Sequence, residues 1–337
     1  MTRSVVLKLF TIVCFTFLVA CGNTSTKTAS DNSPNASEGE TIPVYTPPAG
    51  GMNYIISAGV SEILNQPDKL ADTQFSIETT SGNAEMMVNL VERYDQDKPA
   101  IAAPSYDQAY GAYNGTSDFF DEELKQLRAV SYLGETAIHI VVNADSSIKT
   151  IEDLKGKRIG TGIPGDTRYN FLIYFLNEHG IDENEFEPIP LGFSEIQDGL
   201  VNGSIDAGII TALPPAAPIL ELTQSIDVRI LSVDADKLEN FKSTRPYYTG
   251  IQVEAGTYPK QDDDILIVGF KSLFVTHEET SEEVVYEFVK SIIEEEEKLK
   301  GVHATYDISE DNIASITDIP FHPGAIKYFE EIGINIE

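Results

Sequence analysis

The sequence contains no tryptophan, little cysteine and little positive charge. Its two cysteines are Cys14 and Cys21, both within the first 21 residues, so the body of the chain offers no thiol for catalysis, disulfide formation or metal binding. Lys and Arg number 23 against 54 Asp and Glu, which gives a formal net charge of −31. A surface this acidic repels phosphate backbones and anionic headgroups, which argues against nucleic acid and against membrane binding other than through a lipid.

The local motifs of common enzyme classes are also absent from the sequence. There is no Gly-x-Ser-x-Gly, no His-Glu-x-x-His and no Walker loop. The five histidines are isolated from one another and show no metal-ligand spacing. We therefore expect a protein that is not an enzyme, with no cofactor and no metal.

Residues 1–20 have the organisation of an export signal. Arg3 and Lys8 supply positive charge, a mostly apolar stretch follows, and Leu18-Val-Ala-Cys21 closes it. This ending resembles a bacterial lipoprotein box, which implies cleavage before Cys21 and a lipid on its sulfur. The alternative is an ordinary signal peptide or an uncleaved anchor, with Cys21 incidental. Residues 21–41 are small and polar and predict a flexible tether, so we expect an extracytoplasmic protein lipid-anchored to the bacterial cell membrane.

From residue 42 onward, short apolar strands alternate with amphipathic helices. A strand, a polar turn and a helix occur at residues 42–64, 75–94 and 98–113. This alternation is typical of an α/β fold with a parallel sheet, in which ligands collect beyond the carboxyl ends of the strands. We expect the loops at residues 46–53, 80–83 and 105–107 to share one edge of the sheet.

Residues 154–168 contain a further strand and glycine-rich turn and the start of another helix. The pattern predicts a strand from Arg158 to Thr161 and a helix that begins near Thr167. The backbone N–H groups at such a helix start form an anion site, although Gly, Pro, Asp and Thr are also ordinary turn and capping residues. Arg168 in the first helical turn is unfavourable against the helix dipole, so either an anionic ligand or a carboxylate such as Asp166 balances its charge.

Two motifs near the C-terminus are more particular, namely Ala255-Gly-Thr-Tyr-Pro259 and His322-Pro-Gly-Ala325. Other motifs accompany them in order along the chain: Gly50-Gly51 with Tyr54, Thr80 with Gly82, Asp107-x-Ala-Tyr-x-Ala-Tyr-x-Gly115, Leu154-Lys-Gly-Lys-Arg158, Pro164-Gly165 and Gly203-x-Ile-Asp-Ala207. With these motifs the chain resembles the TAXI family, the solute receptors of one branch of the tripartite ATP-independent periplasmic (TRAP) transporters.

The resemblance implies a type II periplasmic-binding-protein fold, in which two α/β lobes enclose a ligand cleft and two crossover hinge segments join them. Lobe 1 is expected at residues 42–135 and 248–337, and lobe 2 at residues 136–247, with crossings near 134–139 and 244–250. It also implies a receptor that delivers its ligand to TRAP permease subunits. We expect that ligand to be a small carboxylate or amino acid of the glutamate, glutamine or 2-oxoglutarate class. The alternative is a ligand-sensing lipoprotein that signals to a membrane receptor.

We expect backbone N–H groups and hydroxyls at the helix starts to hold the ligand. Asp107 either accepts a ligand amine or caps its own helix. The predicted ligand-binding residues are Thr46, Ala49, Gly50, Gly51, Met52, Asn53, Tyr54, Thr80, Gly82, Asn83, Asp107, Pro164, Gly165, Asp166, Thr167, Arg168 and Tyr247. Pro47, Pro48 and Ala49 depart from the glycine- and threonine-rich first loop that is usual in the family. Gly165-Asp-Thr-Arg168 is shorter than the corresponding family segment, and we expect this segment to set the choice of ligand.

Overall fold

A computed structural model describes residues 39–117, 120, 122–162, 166–303 and 306–336. The predicted signal peptide, the predicted lipidation site Cys21, most of the predicted tether, and Pro164 with Gly165 lie outside the described residues. The described strands are β1 (Glu40–Thr46), β2 (Thr73–Thr79), β3 (Ile101–Ala102), β4 (Leu127–Asn143), β5 (Arg158–Thr161), β6 (Glu187–Pro190), β7 (Ala207–Thr211), β8 (Val228–Ile230), β9 (Tyr248–Val253) and β10 (Ile265–His277).

Most of the helices begin close to the positions that the hydrophobic pattern predicts, whereas the helices Ala235–Ser243 and Glu310–Ala314 are not predicted. The helices are α1 (Met52–Leu64), α2 (Asn83–Tyr94), α3 (Tyr106–Asn114), α4 (Thr167–Glu178), α5 (Phe193–Asn202), α6 (Ala217–Leu222), α7 (Ala235–Ser243), α8 (Glu282–Glu294), α9 (Glu296–Val302), α10 (Glu310–Ala314) and α11 (Pro323–Glu331). Within the described residues, no helix combines the length and the apolar character that a membrane span needs.

Parallel pairing occurs at both ends of the sheet. At one end β1 lies between β2 and β3, and at the other β5 lies between β6 and β7. Two long antiparallel strands, β4 and β10, connect these ends and give the order β2-β1-β3-β10-β4-β7-β5-β6. β8 pairs with β4, and β9 pairs with β10. The predicted parallel arrangement is therefore confirmed for the two ends of the sheet.

The strand β4 corrects a prediction. The sequence pattern predicts two strands, at residues 127–133 and 137–143, but β4 is one strand of 17 residues. Residues 134–136 stay extended because they pair with residues 270–272 of β10. β9 pairs with residues 265–270 of the same strand. The limits of the two lobes stay predictions.

The helices pack on the sheet through apolar faces with helical spacing, as α8 shows. Its Val285, Phe288 and Ile292 are fully buried, and Phe288 packs edge-on against Phe274 of β10 with ring centroids 5.0 Å apart. The Oγ of Ser281 accepts a hydrogen bond from the backbone N–H of Val284 and caps the start of the helix. The pattern predicts one helix to about residue 300, and the structure has two, α8 and α9.

The motifs at residues 255–259 and 322–325 both make structural contacts in the interior. The buried hydroxyl of Tyr258 lies 2.8 Å from Nε2 of His139 and accepts from the backbone N–H of Ala216 at 2.9 Å. In the other motif, a side chain at Gly324 would lie 2.4 Å from the carbonyl oxygen of Glu282. Only glycine therefore permits α11 to approach the start of α8 this closely.

Candidate ligand-binding cleft

The carboxyl ends of β1 and β2 are tied together by two threonines. The carbonyl oxygen of Thr46 accepts hydrogen bonds from the backbone N–H of Thr80 at 2.9 Å and from its Oγ1 at 3.0 Å. Thr46 is 0% exposed. Its own Oγ1 is buried and has no hydrogen-bond partner among the described residues. A buried hydroxyl without a protein partner is uncommon, and here it lies at the edge of the sheet where the sequence predicts ligand binding.

The first turns of α1 and α2 are joined to the loop that follows β3. The side-chain amide of Asn53 donates to the carbonyl oxygen of Ala103 at 2.8 Å. The Oδ1 of Asn83 accepts from the backbone N–H of Ser105 at 3.2 Å. The prediction that the loops at residues 46–53, 80–83 and 105–107 share one edge of the sheet is confirmed.

A hydrogen bond connects this edge to the start of α4. Ser105 Oγ and Thr167 Oγ1 lie 3.0 Å apart. Thr167 follows β5, at the other end of the sheet, so the bond brings together helix starts from both ends. Ser105 is absent from the predicted site because a serine after a strand is an ordinary helix cap. It is the N-cap residue of α3, but its hydroxyl makes no capping hydrogen bond and faces Thr167 instead.

Asp107 lies beside this contact. Its carboxylate accepts hydrogen bonds from Gln108 Nε2 at 3.0 Å and from Thr167 Oγ1 at 3.4 Å. Burial raises the pKa of the Asp107 carboxyl, against the effect of its hydrogen bonds. The interpretation of Asp107 as a helix cap is wrong, because Ser105 holds the N-cap position of α3.

A cavity of about 40 Å³ opens between α3 and α4. It is lined by Asp107, Gln108, Tyr110, Gly111, Thr116, Ser117, Asn170, Tyr174 and Tyr247. A water molecule occupies about 30 Å³ in the liquid, whereas ligand pockets measure about 300 Å³ or more. The cavity is therefore much smaller than such a ligand pocket, and a whole amino acid requires the cleft to open further.

Tyr247 forms an aromatic wall of this cavity. It is 8% exposed, and its ring centroid lies 5.2 Å from that of Tyr110 and 4.9 Å from that of Tyr248. Burial and the nearby charge of Asp107 raise the pKa of the Tyr247 hydroxyl. That Tyr247 contacts the ligand stays a prediction.

Arg168 has a carboxylate partner and one further donor. Its Nε and Nη2 each lie 3.0 Å from the carboxylate of Asp166, which also caps α4 by accepting from the Arg168 backbone N–H at 2.8 Å. The guanidinium carbon lies 4.4 Å from the ring centroid of Phe193. The remaining nitrogen, Nη1, is buried and has no partner in the described part of the chain. Asp166 thus balances the charge of Arg168.

Phe193 is a second residue that the site prediction missed. It is 46% exposed at the start of α5, which is unusual for a large aromatic side chain. An aromatic residue directly after Gly192 at the beginning of a helix is the only signal for it in the sequence.

The other predicted residues belong to the turns before α1 and α2. Ala49, Gly50 and Gly51 are exposed, Tyr54 is half-buried, and Gly82 is the N-cap residue of α2. Met52 instead packs on β4, where a side chain at Gly134 would lie 2.9 Å from its sulfur. Among the residues that the structure describes, no group of three or more His, Cys, Asp or Glu side chains is arranged for a metal ion.

Comparison with known proteins identifies the family. The NMT1-like family matches residues 44–333, which is most of the chain. The chain belongs to the NMT1-like family. This NMT1-like protein is similar in structure to a TctC solute binding protein from Polaromonas, with a TM-score of 0.50 and 17% identity over 81% of this chain and 89% of that chain. It is also similar to a structure described as a periplasmic transporter, with a TM-score of 0.51 and 15% identity over 90% of this chain and 100% of that chain.

A third structure similar to this NMT1-like protein is the periplasmic aliphatic sulphonate binding protein SsuA from Escherichia coli. Its TM-score is 0.49, with 14% identity over 86% of this chain and 83% of that chain. At these identities, the similarity to the Polaromonas protein and to the periplasmic transporter shows the fold alone. The predicted α/β periplasmic-binding-protein fold is confirmed.

Proposed function

We propose that this NMT1-like protein is an extracytoplasmic receptor that captures a small solute in the cleft and delivers it to a membrane transporter. The observation that carries the proposal is the contact between Ser105 and Thr167, with a cavity beside it. Helix starts at the carboxyl ends of parallel strands direct backbone N–H groups toward one space, which favours an anionic or polar ligand. The protein binds and releases its solute without changing it.

The transporter in this proposal is a TRAP permease, and the receptor belongs to the TAXI branch. The resemblance of the motifs at residues 255–259 and 322–325 supports this assignment. A lipid on Cys21 anchors the receptor to the extracytoplasmic face of the bacterial cell membrane, and residues 21–41 give it reach to the permease. The acidic surface is consistent with an exported protein that touches the membrane only through its lipid.

The proposed solute is a small carboxylate or amino acid of the glutamate, glutamine or 2-oxoglutarate class. Two buried groups have no hydrogen-bond partner among the residues that the structure describes, the hydroxyl of Thr46 and Nη1 of Arg168, and they support a ligand that accepts hydrogen bonds. Backbone N–H groups at the starts of α1, α2 and α4 add further donors. Closure of the cleft would remove water from these donors and strengthen each bond.

Isothermal titration calorimetry tests this proposal on the purified protein. L-Glutamate, L-glutamine and 2-oxoglutarate are titrated in turn, and we expect at least one to bind at a single site per chain. Thr46→Val removes the unpartnered hydroxyl and should weaken binding about threefold to tenfold, as for the loss of one hydrogen bond. Ser131→Ala is the matched control, because Ser131 Oγ is also buried without a partner in the described residues but lies within β4. Absence of binding by all three solutes contradicts the proposal.

A further inference from the structure

We propose that Asp107 is the counter-ion for an ammonium group of the solute, so that the receptor selects amino acids or other ammonium-bearing solutes over dicarboxylates. This inference rests on the proposed function, because it assigns one subsite within the same cleft. The donors of Thr46 and Arg168 suit any solute that carries a carboxylate. A role of Asp107 as counter-ion restricts the proposed solutes to those that also carry an ammonium group.

The carboxylate of Asp107 is not paired with a cation among the described residues. Its side-chain hydrogen bonds come from neutral groups, the hydroxyls of Ser105 and Thr167 and the amide of Gln108. No Lys, Arg or His among the described residues forms an ion pair with it. The carboxylate therefore lacks a cation of its own where it lines the cavity.

Three effects act on the charged form of Asp107: the helix dipole, its hydrogen bonds and its desolvation. Asp107 lies in the first turn of α3, where the helix dipole favours a carboxylate. Its hydrogen bonds act in the same direction. The pKa of Asp107 is nevertheless raised, because desolvation outweighs these hydrogen bonds. A half-buried, desolvated carboxylate costs the folded protein free energy unless a cation reaches it.

Aromatic side chains line the cavity beside Asp107. Tyr110, Tyr174 and Tyr247 line the same cavity as Asp107, and the rings of Tyr110 and Tyr247 are tilted by 55° at 5.2 Å. Aromatic rings attract ammonium groups electrostatically and do not attract carboxylates. A carboxylate combined with tyrosine rings is thus a recognition site for a primary ammonium.

The size of the cavity agrees with this assignment. About 40 Å³ accommodates a small group such as an ammonium. The rest of the solute then extends toward Thr46 at the end of β1 and Arg168 at the start of α4. A second carboxylate in the place of the ammonium would face the charge of Asp107 at short range, which is strongly unfavourable in a desolvated site.

Arg245 is the cation that could compete for this role. Its guanidinium carbon lies 4.9 Å from the ring centroid of Tyr174 and 5.0 Å from that of Phe241, and its Nη1 donates to Thr244 Oγ1 at 2.9 Å. It is not among the residues that line the cavity. It therefore packs on the aromatic wall and leaves Asp107 without an ion pair.

The test compares amino acids with analogues in which a hydroxyl replaces the ammonium. Calorimetry measures L-glutamate against 2-hydroxyglutarate and L-leucine against 2-hydroxyisocaproate, with the unaltered protein and with Asp107→Asn. We expect an amino acid to bind at least 10-fold tighter than its hydroxy analogue. Asp107→Asn should weaken amino-acid binding by about 10- to 100-fold, as for the loss of a charged hydrogen bond, and should not weaken binding of the hydroxy acid. Asp97→Asn, an exposed change of the same charge, should alter neither affinity.

The outcomes separate this inference from the proposed function. Equal affinities for an amino acid and its hydroxy analogue, or an Asp107→Asn protein with unchanged amino-acid affinity, overturn the inference and leave a solute receptor. Failure of every solute to bind overturns both. Thermal melting supplies an independent readout, because neutralising an unpaired buried charge should leave the melting temperature unchanged or higher. A lower melting temperature together with unchanged selectivity would assign Asp107 a structural role and overturn the inference.

Discussion

The hydroxyl oxygens of Ser105 and Thr167 lie 3.0 Å apart, although 62 positions separate the two residues in the chain. Ser105 follows β3 and Thr167 follows β5, so this hydrogen bond joins helix starts at the two ends of the sheet. Because the contact lies beside the cavity, a solute that enters between α3 and α4 has to part these two side chains or bind against them.

Substitutions at this contact should show energetic coupling. In a double-mutant cycle with Ser105→Ala and Thr167→Val, we expect a coupling of about 0.5–1.5 kcal/mol in the free energy of unfolding, measured by urea denaturation. The coupling arises because either substitution alone already removes the shared hydrogen bond. If the two effects add within about 0.3 kcal/mol, the contact does not contribute to stability in solution.

Arg168 should be required for binding of the solute carboxylate. Arg168→Ala removes the buried Nη1 donor, and we expect calorimetry to show an affinity at least 10-fold lower, since a hydrogen bond from a charged donor contributes about 1.5–3 kcal/mol. Arg158→Ala is a matched control, because Arg158 also pairs through two nitrogens with one carboxylate, that of Asp206, at the opposite end of β5. Unchanged affinity in Arg168→Ala would exclude Arg168 from the site.

The sequence predicts the local units of this fold better than their long-range pairing. The strand Arg158–Thr161 and the helix that starts at Thr167 follow from hydrophobic pattern and turn chemistry, and both are confirmed. The break predicted at Gly134 does not occur, because pairing with β10 keeps those residues extended and Met52 packs against the glycine. Local propensity contains no information about a partner strand that lies more than 130 positions away.

In the candidate site, too, contacts between distant parts of the chain could not be predicted from the sequence. Its loops could be placed at one edge of the sheet, because carboxyl ends of parallel strands share an edge. The role of Ser105 could not be predicted, since its partner Thr167 belongs to a different part of the chain. The error over Asp107 has a similar cause, as the nearer Ser105 takes the cap position.

The buried hydroxyl of Tyr258 should be important for stability. Tyr258→Phe leaves the backbone N–H of Ala216 and the Nε2 of His139 without this partner. Because buried polar groups without partners are costly, we expect a loss of about 1–3 kcal/mol in the free energy of unfolding. Tyr286→Phe, which removes an exposed hydroxyl that donates to Glu331, should change it by less than about 0.5 kcal/mol. Equal effects of the two substitutions would contradict the structural role of the motif at residues 255–259.

His139 should make the protein sensitive to acid. Burial lowers its pKa from 6.5 to about 4, so the folded state holds it neutral while the unfolded state protonates it first. Its contribution to stability is complete above pH 6.5 and is lost as the pH falls toward 4, by about 2–3 kcal/mol at pH 4.5. Urea denaturation at pH 7 and pH 4.5 should show a smaller acid loss for His139→Gln than for the unaltered protein. An identical loss in both proteins would contradict this assignment.

The central claim, that the cleft captures a small solute, is tested most directly by identifying what the protein carries from the cell. Protein freshly purified under native conditions is denatured, and the released small molecules are analysed by mass spectrometry against the Thr167→Val, Arg168→Ala and Asp107→Asn proteins prepared in parallel. The account predicts one ammonium-bearing carboxylate at up to one molecule per chain, reduced in all three variants. Release of no solute, combined with no binding in calorimetry, or release of the same solute in equal amounts from all four proteins, would contradict it.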